Sequence, residues 1–210
     1  MAIQPFRIRL VGTRDLLHHS VILADPDSQA AKEIAKIAGK RKKTEDDRAE
    51  LGKLEMKYGM YWEEVVGPYM PGENIERSLR DGGVITRSGT KIQRGVFIET
   101  DFNKLEYRHE ERNLEKLAED HRFHYRKVVT VQRAKVVRTR PIFKNWSCEA
   151  EGILNTTVLS LDELQEIATN AGTMIGIGDY RPRFGRYKAR VTPLAELTST
   201  KNDEYSDVVV

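Results

Sequence analysis

SLDELQEIATNAGTMIGIGDYRPRFGRYKARV, residues 160–191, carries a helix, a loop and a strand in unbroken succession. Ser160 with Glu163 three residues on forms a capping box, in which each side chain satisfies an N–H that the first helical turn leaves open. The helix LDELQEIATNAG then places Leu161, Leu164, Ile167 and Ala168 on one face, and Gly172 is its expected stop. The loop that follows alternates Gly176, Gly178 and Gly185 with Arg181, Arg183, Arg186, Lys188 and Arg190. Glycines let a backbone turn and approach a ligand, and forked guanidinium donors match phosphate oxygens in pairs. Tyr180, Phe184 and Tyr187 add flat faces on which bases can stack. YKARV closes the stretch as a strand. The same residues also describe a glycine-punctuated hairpin with a solvated basic face.

Outward from this stretch, WSCEAEGILN reads as a strand ending at Asn155, and HYRKVVTVQRAKVVRTRPIF as one long strand or two. The latter bears Arg133, Lys135, Arg138 and Arg140 on a basic side, and residues 127–140 contain no acid. At the start of the chain FRIRLV alternates Phe6, Ile8 and Leu10 with Arg7 and Arg9, the pattern of a half-buried strand. Residues 25–66 are charged and helical and read as an insertion with narrow apolar stripes (Ile34, Ile37; Leu51, Leu54). Thr44 and Asp47 cap its second helix, and the basic run 40–43 lies between the two helices. PYMPGENIERSLRDGG places a turn at Pro71-Gly72 and a short helix through Ile75 and Leu79, stopped at Gly82 and Gly83. VITRSGTKIQRGVFIET reads as a hairpin-like pair turning at SGT, with residues 96–98 as its buried strand. Residues 110–122 form a further charged helical stretch, and residues 192–210 read as a tail.

The formal net charge is only +3, too small for total charge to indicate a polyanionic partner, so distribution has to carry that argument. A single cysteine, Cys148, excludes an intramolecular disulfide and suits a reducing, cytoplasmic compartment. No apolar run approaches the roughly 20 residues of a membrane helix, and MAIQPFRIRL lacks a signal-peptide core. His109, His121 and His124 are scattered among charged residues without recurring ligand spacing, so neither a metal nor another cofactor is expected. Trp62 and Trp146 read as core or interface anchors.

These elements give the order βαββαβ over residues 1–191, an α+β fold with a ferredoxin-like or RRM-like antiparallel sheet and a charged helical insertion after the first strand. FRIRLVG, PYMPGENIERSLRDG and GIGDYRPRFGRY resemble the first strand, the proline–glycine helix start and the C-terminal glycine-rich loop of the RAMP superfamily of CRISPR-associated proteins. The RTRPIF…W…GIGDYRPRFGR arrangement is similar to that of small proteins of bacteriophage genomes. The resemblance implies a non-enzymatic protein that binds single-stranded RNA or DNA and assembles side by side along it, as a homo-oligomer or larger nucleoprotein complex. The phosphate-binding residues expected are Gly176, Gly178, Tyr180, Arg181, Arg183, Gly185 and Arg186, with Arg138, Arg140, Lys42 and Lys43 nearby. Two other classes stay open. One is a metal-independent endoribonuclease of the guide-processing type, with His18 or His19 as general base and Arg183 or Tyr180 assisting. The other is a phage structural or inhibitory protein acting on a host nucleoprotein complex.

Overall fold

The computed structural model describes residues 2–108, 111–131 and 134–194. In chain order the first half comprises β1 (Ile3–Gly12), β2 (Leu16–Leu17), α1 (Gln29–Ala38), α2 (Glu45–Gly59), β3 (Trp62–Glu63), β4 (Gly67–Pro71) and α3 (Gly72–Ile85). There follow α4 (Gly89–Gly95), β5 (Val96–Ile98), β6 (Phe102–Glu106), α5 (Leu114–Glu119), β7 (His124–Val131) and β8 (Ala134–Phe143). The chain continues through β9 (Ser147–Asn155) and α6 (Leu161–Asn170) to β10 (Tyr187–Pro193). The fold is mixed α+β, and among the described residues seven strands form one open sheet whose pairings are antiparallel.

β1 lies inside this sheet because it alternates. Phe6, Ile8 and Leu10 are fully buried, opposite Gly152, Ala150 and Cys148 of β9. The sheet order is β10-β1-β9-β6-β4-β3, with β5 also paired to β9. α3 and α6 contribute Ile75, Leu79, Leu164, Ile167 and Ala168 to the core that β1 enters. Between them the contact is close: a Cβ on Gly82 would lie 2.6 Å from the Cβ of Ala171. On the other side of β1, Arg7 stands opposite Glu151 and Arg9 opposite Glu149, joined at 2.6 and 2.7 Å. The outward charges of this strand therefore solvate and cross-link the sheet.

Several local expectations are corrected. α3 does not stop at Gly82 and Gly83 but runs through both, because these glycines serve close packing against Ala171 and Gly89. Pro71 is not the corner of a turn. It ends β4, and Gly72 begins α3. The SGT hairpin is replaced by the helix α4, leaving β5 as the strand of that segment. α6 does not end at Gly172 either. A π-helical turn, Ala171–Ile175, carries it to Gly176, whose φ of 78° terminates the helix. The two capping boxes at Thr44 and Ser160 are both formed.

The 124–143 segment is two strands, β7 and β8, paired along their length, and β8 also pairs with β2 in a separate three-stranded sheet. Against it packs α2. The 25–66 segment is not peripheral to the core, since Met56 and Met60 belong to it and Trp62-Glu63 forms the edge strand β3. Residues 192 and 193 extend β10 instead of beginning a tail. The expected tail from 195 onward, His109 and Arg133 lie outside the described residues.

Candidate functional site

The glycine–arginine loop is built by backbone geometry first. Gly176 and Gly178 take φ values of 78° and 80°, and a Cβ on Gly178 would stand 2.5 Å from the Leu17 carbonyl oxygen. Ile177 N–H donates to the Gly185 carbonyl at 2.9 Å, Asp179 N–H to Leu17 at 2.9 Å and Gly185 N–H to Asp15 at 2.8 Å. The Arg181–Pro182 peptide is cis. Side chains then clamp the loop to the β7–β8 hairpin. Arg140 Nε donates to Asp179 at 2.7 Å, the Tyr125 and Phe184 rings meet edge to face at 4.9 Å, and Lys127 Nζ donates to the Tyr180 hydroxyl at 2.6 Å. That hydrogen bond and the Lys127 charge hold the Tyr180 phenol below its usual range. Tyr180 is half exposed, and its ring lies 6.1 Å from Phe184, so two aromatic side chains stand together at the loop.

The basic residues expected to form one phosphate-binding set divide into two groups. Arg138 pairs with Glu55 at 2.6 Å, and the other oxygen of that buried carboxylate accepts the Thr139 N–H at 2.7 Å. Arg140 is committed to Asp179. Arg181 lies 3.4 Å from Asp81 and donates to the Gly176 carbonyl at 3.3 Å. These three are structural latches. A guanidinium already neutralised by a part-buried carboxylate must break that pair before binding phosphate, which opposes the role expected for it.

Arg183 and Arg186 remain, and the fold brings Arg14 to them. Thr13 and Arg14 N–H groups donate to the Arg186 carbonyl at 2.8 and 3.2 Å, and the indole N–H of buried Trp146 donates to the Arg14 carbonyl at 2.8 Å. Thr13, Arg14, Asp15, Arg183, Phe184 and Arg186 line a hollow of about 490 Å³. Among the described residues none of the three arginines has an ion-pair partner, and the buried Nε of Arg186 has no acceptor. Three like charges on two cross-linked backbone segments repel one another, and an anion in the hollow relieves that repulsion.

Lys42 and Lys43 do not join this hollow. They lie in the α1–α2 connection, where Lys42 is exposed and Lys43 donates to the Lys40 carbonyl at 3.0 Å. Lys43 instead lines a second hollow of about 330 Å³ between α2 and the hairpin, with Arg48, Arg126 and Arg138. The two histidines, His18 and His19, differ in burial. His18 is fully buried between the Tyr61 and Phe143 rings, its Nδ1 accepts the Tyr61 N–H, and burial pushes its pKa down to about 3. It is sealed from any strand on the surface, which removes it as a general base. His19 faces outward and titrates below the usual imidazole value, through desolvation first and the Arg140 charge second. Among the described residues no three His, Cys, Asp or Glu side chains gather as a metal-binding group, and no helix is long and apolar enough to cross a membrane.

Arg14, Lys127 and Tyr125 are the site residues that sequence reasoning missed. Lys127 lay at the edge of the acid-free segment, whereas Arg14 follows a strand without any motif. Only the hydrogen bonds of residues 13–15 to 185–186 reveal it. No protein-family model matches the chain and no curated protein matches it, so the functional reading rests on this arrangement of side chains.

Proposed function

We propose that the protein binds single-stranded nucleic acid without enzymatic chemistry, holding phosphate at Arg14, Arg183 and Arg186 and stacking bases beside Tyr180 and Phe184. The observation that carries this reading is the hollow itself: three arginines without carboxylate partners among the described residues, lined in part by Phe184 and adjoining the half-exposed ring of Tyr180. Single-strand binders combine these two features, a cationic track for the backbone and flat faces for the bases. Gly176, Gly178 and Gly185 shape the loop that presents them.

The finer fold reading belongs to the same proposal. The order β10-β1-β9-β5, with α3 between β1 and β5 and α6 between β9 and β10, supports a ferredoxin-like or RRM-like core of the RAMP type. The binding surface is then the loop and hairpin side, since the outer face of the sheet is occupied by the Arg7, Arg9, Glu149 and Glu151 pairs. Side-by-side assembly along the strand is part of this reading. Sedimentation velocity on mixtures of protein with a long strand tests it: species of several protomers per strand support assembly, and a fixed one-to-one complex refutes it.

Fluorescence anisotropy of labelled RNA and DNA strands of about 20 nucleotides, at about 50 and 200 mM salt, tests binding. Three displaced phosphate counterions correspond to a slope of log affinity against log salt near about −2. Affinity that does not change with salt overturns the proposal. A cleavage product formed without metal and lost in His19→Ala assigns the protein to the nuclease class instead.

A further inference from the structure

The charge in the loop hollow suggests more than a generic phosphate contact. Arg14, Arg183 and Arg186 bring three positive charges, and the one acid that lines the hollow with them is Asp15. The local sum is two positive charges. A phosphodiester inside a strand carries one negative charge and leaves the hollow charged, whereas a phosphate monoester carries close to two at neutral pH. A monoester also offers three terminal oxygens, enough to engage three guanidinium forks.

The geometry has the rigidity such a site needs. Residues 13–15 are tied to 185–186 by three backbone hydrogen bonds, of 2.8, 3.2 and 2.8 Å, and Trp146 pins Arg14 from the core. The Nε of Arg186 is buried without an acceptor, so no partner in the fold neutralises this guanidinium among the described residues. Phe184 forms part of the lining, with Tyr125 edge to face behind it, so a terminal base has an aromatic ring beside its phosphate. Neither the tied Arg138 and Arg140 nor the linker lysines enter this hollow.

We infer that the hollow lined by Arg14, Arg183 and Arg186 is a phosphomonoester site, which takes the terminal phosphate of a nucleic-acid strand. The inference rests on the reading of this loop as a phosphate contact and names the class of phosphate. A free phosphate and a strand end share the same chemistry, and titration distinguishes them.

The test uses the full chain and one labelled strand of about 12 nucleotides in three forms: 5′-phosphate, 3′-phosphate and hydroxyl at both ends. One phosphorylated form is expected to bind about tenfold or more tightly than the hydroxyl form, the scale of one charge-assisted contact. Arg14→Ala and Arg183→Ala, both at exposed positions, are expected to erase that preference while the melting temperature holds. Inorganic phosphate that displaces the phosphorylated strand only at millimolar concentration assigns the site to strand ends; displacement at strand-like concentrations assigns it to free phosphate or a small phosphomonoester. Equal binding of all three forms, with normal salt dependence, overturns this inference and leaves strand binding in place. Failure of every strand to bind, with saturable phosphate binding lost in Arg183→Ala, keeps the monoester site and removes the strand-binding reading. Absence of both removes the two together.

Discussion

Replacing Arg183 and replacing Arg181 with alanine are expected to give different results, although both stand in the same loop. Arg183 has no ion-pair partner among the described residues, so its loss should weaken strand binding about tenfold with an unchanged melting temperature. Arg181 is held by Asp81 and the Gly176 carbonyl, so its loss should appear mainly in the melting curve. Anisotropy and thermal melts on the two single variants separate the roles, and identical behaviour of both refutes the division. His18 supports a second prediction at this scale. Its folded pKa of about 3 lies below the roughly 6.5 of an unfolded imidazole, so the unfolded chain binds more protons between those values. Stability should therefore fall as pH drops below about 6.5, by up to about 1.4 kcal/mol per pH unit from this residue alone. Urea melts at several pH values should show a shallower acid slope in His18→Phe, which retains the ring between Tyr61 and Phe143. An unchanged slope excludes His18 as its source.

At the scale of elements, the decisive joint is α2 against the β7–β8 hairpin. Glu55 on α2 accepts from both Arg138 and the Thr139 N–H, so one carboxylate binds the helix to the strand. Glu55→Ala leaves a buried N–H unsatisfied and is expected to cost about 1–3 kcal/mol in urea unfolding. It also frees Arg138, so non-specific strand affinity should rise at low salt, which the same anisotropy assay reads. Ser160→Ala should cost about 1 kcal/mol through the lost cap, with no change in binding beyond that instability. A binding loss in Ser160→Ala at temperatures where the protein remains folded means that α6 transmits strain into the loop through the π-helical turn.

For the whole molecule, the lone thiol provides a reporter. Cys148 is 1% exposed on β9, next to the core of both β1 and β6, and burial pushes its pKa up to about 12. Native protein should not react with a thiol reagent at neutral pH, and the rate of labelling in urea should follow global unfolding. If α2 and the hairpin share one core with the sheet, as Met56 and Phe143 in that core imply, circular dichroism and Cys148 labelling will give one transition. Two transitions divide the molecule into a sheet unit and an insertion unit.

The alternation in FRIRLV, the capping boxes at Thr44 and Ser160, the strands around Val96 and Cys148 and the glycine loop were all legible in the chain, because each depends on neighbours within a few residues. Glycines were read less well, since the sequence cannot distinguish one that ends a helix from one that admits a neighbouring backbone. Gly82, Gly83 and Gly172 belong to the second kind, and only Gly176 ends its helix through positive φ. The basic residues show the same divide. The sequence by itself determined that arginines crowd the loop and the hairpin, while tertiary structure decided which of them are neutralised. Asp81, Asp179 and Glu55 lie between 39 and 100 positions from the arginines they hold, and Arg14 reaches the loop only because β1 pairs with β10. Charge in a sequence is local, but whether that charge is free depends on partners that only the fold brings within a few ångströms.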